Sequence, residues 1–113
     1  MIEITVLDYL NPLLQEPVMM EVPSERPSSY VLLEKTGSGV EDRLQNATMA
    51  VQSVATTLAA AADLNERVKA AMAGMITLPN VFRCECETDY NFTDTRTKER
   101  RYQAVYHIYY MEE

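Results

Sequence analysis

The chain has 113 residues, with 17 Asp and Glu against 10 Lys and Arg, which gives a formal net charge of −7. This length favours a single domain over residues 1–113, with a modest core and no deep catalytic cavity. The negative charge disfavours direct binding to nucleic acid or to an acidic membrane surface. No stretch approaches the roughly 20 apolar residues of a membrane span. The N-terminus carries no secretory signal pattern, so we expect synthesis and use in a cytosol.

The first 27 residues predict a short helix, a short strand and a loop. Apolar residues at helical spacing favour a helix over residues 2–15, although the alternation of Ile2, Ile4 and Val6 leaves a strand open. A short strand is predicted over residues 18–22. The prolines at positions 23 and 27 then bracket an irregular loop.

Two strands are predicted in the next part of the chain, over residues 30–35 and 47–54. Between them, residues 36–39 (Thr-Gly-Ser-Gly) predict a turn or a longer loop. A phosphate-binding loop would need further glycines, a lysine and a helix directly after it, and none of these follows. We therefore interpret the two glycines as part of a flexible connection between strands.

A long amphipathic helix is the clearest element in the sequence. Thr56 or Thr57 is a suitable N-cap, and Gly74 and Pro79 end the helix after about 18 residues. The positions predicted to form its apolar stripe are Leu58, Ala61, Ala62, Leu64, Val68, Ala71, Met72 and Met75.

Two more strands are predicted near the C-terminus, over residues 81–87 and 102–111. In the first, Phe82, Cys84 and Cys86 share one face, and both cysteines are expected to be small buried residues. A disulfide across one intervening residue is sterically poor, and a metal site would need more ligands than these two thiols and the single histidine. The second strand carries large groups on both faces, so we expect it to be central in the sheet or to lie under a partner.

The predicted order is helix, three strands, helix, two strands. It indicates an α+β fold: a mostly antiparallel sheet of about four to five strands, flanked on one side by one long and one short helix. A doubly wound parallel sheet would need a crossover helix between most strands.

Catalytic constellations are weak in this sequence. His107 lies in the middle of a strand among tyrosines and is more typical of packing than of general base catalysis, even if Cys84 or Cys86 lies on a neighbouring strand. Asp89 and Asp94 are a formal acid/base pair, but an acidic, polar hairpin tip explains them more simply. We expect no cofactor, no metal and no enzymatic activity.

Positive charge is concentrated in one segment, because four of the ten basic residues fall within residues 96–101. We expect residues 89–101 to form a long connection that projects from the sheet and contacts an acidic neighbour, such as a second copy of this chain. A head-to-tail contact of that kind makes a ring if it closes. The residues predicted to form this subunit interface are Tyr90, Phe92, Arg96, Lys98, Arg100 and Arg101.

Several stretches between residues 18 and 110 resemble a known protein family. They are the lead-in from Pro27 to Tyr30, the strand that runs into Thr36-Gly37, the strand with Gln52-Ser53, and the Ala-rich helix with Leu64-Asn65-Glu66. The segments 89–94 (DYNFTD) and 101–106 (RYQAVY) are similar as well. In these features the chain resembles the tail-terminator-like and minor tail proteins of long-tailed phages with non-contractile tails, and of related prophages.

The resemblance implies an α+β structural protein without enzymatic activity or cofactor. It implies a homo-oligomeric ring, typically of six subunits, that caps the tail tube and contacts the tail tube protein and head–tail connector proteins. The expected location is the tail of the virion, with assembly in the cytoplasm of a bacterial host. A head–tail connector or tail-completion protein is the first alternative, and a small hydrolase or an α+β binding module is the second.

Overall fold

A computed structural model describes residues 1–112 of the chain. Over that range, the helices are α1 (Ile2–Leu10) and α2 (Leu58–Met72), and single 3-10 turns follow them at Asn11–Leu13 and Met75–Thr77. The strands are β1 (Val18–Met19), β2 (Tyr30–Glu41), β3 (Leu44–Ala55), β4 (Val81–Asn91) and β5 (Arg100–Tyr110).

The five strands form one sheet in the order β1-β2-β3-β5-β4. The short β1 runs parallel to β2, and all other neighbours are antiparallel. This arrangement confirms the predicted α+β fold with a mostly antiparallel sheet. It also confirms the central position of the last strand, since β5 lies between β3 and β4.

Both helices pack on the same face of the sheet, which we call the helix face. Because side chains alternate along a strand, every second residue of β2, β3 and β5 points into this layer. The shared core includes Val6 of α1, Val68 of α2, Val31 of β2, Met49 of β3 and Ile108 of β5. Neither of the two helices described over residues 1–112 covers the opposite side of the sheet, which we call the open face.

The long helix begins and ends largely where the sequence predicts. The side chain of Thr57 accepts a 3.1 Å hydrogen bond from the backbone N–H of Ala60, as expected of an N-cap. A Cβ at Gly74 would lie 2.5 Å from the Tyr9 hydroxyl, so a side chain at position 74 would clash with α1. Tyr9 also donates a 2.6 Å hydrogen bond to the carbonyl of Ala71, which joins the two helices.

The buried face of α2 differs from the predicted apolar stripe at two positions, one in the first turn and one in the middle of the helix. Val68 and Met72 are fully buried, as predicted, but Leu58 is 40% exposed because it lies in the first turn, beyond the edge of the core. Asn65 is buried instead, since its side chain donates to Asp89 of β4. A polar side chain thus occupies part of the helix–sheet contact.

The N-terminal prediction holds in type but not in length. The first helix ends at Leu10, and Pro12 lies within the following 3-10 turn rather than in a helix that continues to residue 15. The predicted strand over residues 18–22 shortens to the two residues of β1. Val18 and Met19 pair with Val31 and Leu32 of β2, and the parallel pairing does not extend to residues 20–22.

The prediction of a turn at residues 36–39 is wrong. These residues lie inside β2, where a bulge between Lys35 and Gly37 absorbs one extra residue while pairing with β3 continues. The turn lies at Asp42 and Arg43, which have φ values of 49° and 69°. Two consecutive positive φ values are typical of a type I′ hairpin turn, which joins long twisted strands in two residues.

The prediction of a long connection over residues 89–101 is too wide. Residues 89–91 extend β4, and Arg100 and Arg101 begin β5, so the connection spans residues 92–99. Bulges at both ends of the segment from Val81 to Thr88 also disturb the predicted alternation. Phe82 lies in the first bulge and is 56% exposed. Cys86 stays in register with Tyr106 but is exposed rather than buried, because β4 is the outer strand of the sheet.

Candidate subunit interface

Three basic side chains project from the end of the sheet where β4 ends and β5 begins. Arg96 and Lys98 lie in the connection between these strands, and Arg100 is the first residue of β5. All three are exposed, and none makes an ion pair within residues 1–112. We call these three residues the basic tip.

The backbone of the connection is held by local hydrogen bonds that direct these side chains outward. The carboxylate of Asp94 accepts from the backbone N–H groups of Arg96 (2.9 Å) and Thr97 (3.4 Å). These two hydrogen bonds hold the pKa of Asp94 below its ordinary value. Lys98 takes a positive φ of 57°, which turns the chain back toward β5.

Arg101, the fourth predicted basic residue, is engaged within the chain. Its guanidinium donates to Glu99 at 2.6 Å and to the side chain of Gln52 at 3.0 Å, and Asp94 lies 3.8 Å away. Its side chain is 17% exposed. The positive charge that this position offers to a partner is therefore much smaller than that of the basic tip.

Glu99 connects the basic segment to residues at the start of β2, two strands away from β5 in the sheet. Its carboxylate accepts from Arg26 at 2.7 Å and from the Tyr30 hydroxyl at 3.1 Å, in addition to Arg101. Burial raises the pKa of Tyr30 first, and the hydrogen bond to Glu99 raises it further. These contacts fix the end of the connection against the start of β2.

The two predicted aromatic residues lie side by side beside the tip. Tyr90 is 39% exposed and Phe92 is 43% exposed, and their rings meet edge to face with centroids 5.9 Å apart. The Tyr90 hydroxyl accepts a 2.6 Å hydrogen bond from Gln103, whose carbonyl oxygen accepts from Gln52 at 2.9 Å. This chain of hydrogen bonds continues to Arg101 and holds the aromatic pair in a fixed orientation.

Sequence reasoning missed the residues that hold this surface in place. Gln52 and Gln103 are buried on the open face, directly opposite each other in neighbouring strands. A glutamine in the middle of each apolar strand was the available signal, because buried amides need partners. Nothing in the sequence around Glu99 indicates that it joins three side chains.

The two carboxylates of the hydrolase alternative have separate partners. Asp89 accepts from Asn65 at 2.8 Å and from Lys69 at 3.1 Å on the helix face, whereas Asp94 caps the turn in the connection. The hydrogen bond from Lys69, more than any other contact, lowers the pKa of Asp89. A lowered pKa is opposite to what a general acid needs near neutral pH.

The cysteines and the histidine lie on opposite faces of the sheet. Cys84 and Cys86 pair with Ile108 and Tyr106, which point into the core, whereas His107 points to the open face. There its Nδ1 lies 2.9 Å from Glu87. A Cys–His nucleophile of the kind considered from the sequence does not form. Among residues 1–112, no three His, Cys, Asp or Glu side chains cluster as metal ligands.

No helix in the described part of the chain is long and apolar enough to cross a membrane. The sequence matches no protein-family model, and no curated protein matches it.

Proposed function

We propose that this chain is a structural subunit of a phage tail that assembles with copies of itself into a ring, caps the tail tube and joins it to the head. The proposal follows the resemblance of residues 18–110 to tail-terminator-like proteins. The observation that carries it is the basic tip, an uncompensated group of three positive charges beside exposed aromatic rings in a chain of net charge −7.

The two parts of this surface have complementary roles in association. Exposed charges of one sign raise the encounter rate with an oppositely charged surface and set its orientation. Tyr90 and Phe92 supply rigid contact area, since large aromatic side chains are enriched among the residues that dominate binding energy. Their fixed orientation reduces the conformational entropy that binding would otherwise cost.

A ring requires a contact between two different surfaces of the same chain. The basic tip occupies one end of the sheet, and the rest of the chain is acidic, so two copies are favoured when the tip of one meets another region of the next. Such a contact is heterologous when each copy uses its tip toward one neighbour and its acceptor region toward another, and it gives a closed ring when the rotation between neighbours closes. The tail tube protein and a head–tail connector are the proposed partners above and below the ring, in the tail of the virion.

Self-assembly is tested with the purified protein. We expect light scattering to show a large oligomer that weakens with salt, and negative-stain electron microscopy to show rings. Arg96→Glu with Lys98→Glu should reduce assembly without changing the melting temperature. Arg43→Glu with Arg83→Glu is the charge control, because it changes the net charge equally at exposed sites outside the tip. Its melting temperature is measured as well, since Arg83 is paired with Glu85. A wild-type protein that stays monomeric at every concentration and salt contradicts the proposal.

The station in the tail is tested by deleting the gene from a phage or prophage that encodes the chain. A protein that caps the tube should, when lost, give heads without tails and tubes of uncontrolled length. Tubes of normal length that fail to join heads would instead support the head–tail connector alternative. Normal, infectious particles would contradict both.

A further inference from the structure

Ion pairing within the chain leaves few basic side chains free. Of the ten Lys and Arg residues, six lie within 4 Å of a carboxylate among residues 1–112. The remaining four are the basic tip and Arg43, which lies in the β2–β3 turn. Free positive charge is thus concentrated at one end of the sheet, more sharply than the sequence suggests.

The carboxylates without a basic partner are segregated as well. Within residues 1–112, every acidic side chain after position 42 pairs with a base, with His107 or, for Glu112, with the terminal amine. Before that position, Glu3 and Glu16 pair with Lys35 and Arg67. The carboxylates left without a basic partner are Asp8, Glu21, Glu25, Glu34, Glu41 and Asp42.

Three of these unpaired carboxylates lie on β2 and its turn, and we call Glu34, Glu41 and Asp42 the acidic edge. All three are exposed. The strand pairs with β1 only at Val31 and Leu32, so beyond these residues β2 is an outer strand of the sheet. The acidic edge therefore flanks a stretch of backbone that is open to a neighbour.

The two charged surfaces are held apart within one copy. β3 and β5 separate β2 from β4, and at about 4.8 Å per strand the spacing is roughly 14 Å. Along the strands, the tip lies at the end where β2 begins, and Glu41 lies at the other end of this 12-residue strand, on the order of 40 Å away. Contacts of Glu99 with Arg26 and Tyr30 fix the connection there, so the tip cannot reach Glu41 in its own chain.

We infer that the basic tip of one copy binds the acidic edge of a second copy. This inference rests on the proposed function only in requiring that the chain assembles with itself. It adds the acceptor surface, which the sequence does not reveal because paired and unpaired carboxylates look alike there. Positive and negative free charges on different surfaces favour a contact of tip with edge and oppose a contact of tip with tip or of edge with edge, in which like charges would meet.

The inference is tested by reversing each surface separately. The tip variant carries Arg96→Glu and Lys98→Glu, and the edge variant carries Glu34→Lys and Glu41→Lys. Each alone should associate at least about tenfold more weakly than the wild type, measured by sedimentation velocity at low salt, because its two surfaces now carry the same sign. Mixed in equal amounts, the two variants should assemble again, since the tip and edge of each complement those of the other.

Matched variants separate this contact from general effects of charge. Asp8→Lys with Glu21→Lys gives the same net charge as the edge variant, −3, but leaves the acidic edge intact, so it should assemble as the wild type does. A chain that carries both the tip and the edge substitutions should also assemble. That result would exclude misfolding as the reason for the loss in the single-surface variants.

Three outcomes overturn the inference. An edge variant that assembles like the wild type shows that the acceptor lies elsewhere, while self-assembly itself stands. Folded variants that fail to assemble when mixed show that the two surfaces do not meet. A monomeric wild type that binds a DNA duplex through the tip, and loses this binding in the tip variant, would assign the tip to nucleic acid instead.

Discussion

Arg101 donates a 2.6 Å hydrogen bond from Nη2 to Oε1 of Glu99, two residues earlier in the chain. In the sequence, Arg101 extends a run of basic residues for which we predicted one shared interface. In the structure, Glu99 and Gln52 hold its guanidinium against the sheet, with its Nε buried and without a hydrogen-bond partner among residues 1–112. Neighbouring positions in one basic segment thus differ: Arg101 is held within the chain, whereas the side chains of the basic tip are exposed and have the contact role only in our proposal.

The first prediction follows from this difference. Arg101→Ala should lower the free energy of unfolding by about 2 kcal/mol, because it leaves Glu99 and the amide of Gln52 with fewer partners in a partly buried network. Arg96→Ala, at an exposed position without an ion pair, should change it by less than about 0.5 kcal/mol. Urea unfolding of the two variants measures both. Equal losses of unfolding free energy in the two variants would mean that the contacts of Arg101 with Glu99 and Gln52 stabilise the fold no more than an exposed charge does.

The second prediction concerns the face of α2. Val68 is fully buried in the core, so Val68→Asp should cost at least about 3 kcal/mol by burying a charge without a partner, and Val68→Ala about 2 kcal/mol. Next to it, Arg67 donates to both carboxylate oxygens of Glu16 at 2.8 and 2.7 Å and to Asp63 at 3.0 Å. Thermal melting with calorimetry distinguishes these positions.

The sequence alone predicts that Arg67 faces solvent and that Arg67→Ala lowers the stability only slightly. With two acceptors in place, Arg67→Ala should still cost only about 1 kcal/mol, because the guanidinium is 41% exposed and water screens the pair. Glu16→Gln should remove a similar amount. The double variant should lose less than the sum, and strict additivity would contradict a direct coupling between these residues.

The fold was predictable where one strong local pattern agrees with the packing. The long helix, with Thr57 as its cap and Val68 on its buried stripe, is such an element. So is β5, whose large side chains on both faces predicted a central position or one under a partner, and which lies between β3 and β4. Each of these features depends on residues close together in the chain, and the periodicity of buried side chains reports it directly.

The extent of β2, the position of its turn and the side-chain networks depend on contacts between distant segments. Gly37 and Gly39 are typical of a turn, but pairing with β3 extends β2 through them. The turn uses Asp42 and Arg43, and an arginine with φ of 69° gives no turn signal. The network of Glu99 with Arg26, and of Gln52 with Gln103, joins residues 51 to 73 positions apart, so no local pattern could reveal it.

The third prediction concerns the two thiols. Burial raises the pKa of Cys84 to about 11, and this side chain is half-buried, whereas Cys86 is exposed. At pH 8 the reactive thiolate of Cys84 is thus about one part in a thousand. Iodoacetamide should therefore modify Cys86 well before Cys84, as mass spectrometry of peptides would show. If both thiols were modified at the same rate, the outer strand β4 would have to separate from β5 in solution.

The last prediction concerns stability in acid. Lys69 and Asn65 donate to Asp89 and hold its pKa below the ordinary value near 3.8. A carboxylate with a lowered pKa in the folded state contributes stability that is fully present above its unfolded pKa. This contribution is lost as the pH falls through the folded value, where the bound proton removes the charge that Lys69 stabilises.

Asp89→Asn should therefore lose about 1 kcal/mol of stability at pH 7, and the gap to the wild type should close as the pH falls from about 5 toward 2. Urea unfolding at several pH values measures this gap. Asp8→Asn is the control, because its exposed carboxylate has no basic partner among residues 1–112 and its gap should stay near zero throughout. A gap for Asp89→Asn that persists unchanged below pH 3 would show that packing of the side chain, and not its charge, joins α2 to β4. In that case Asn65 would be the important partner, and Lys69→Met would leave the stability at pH 7 unaltered.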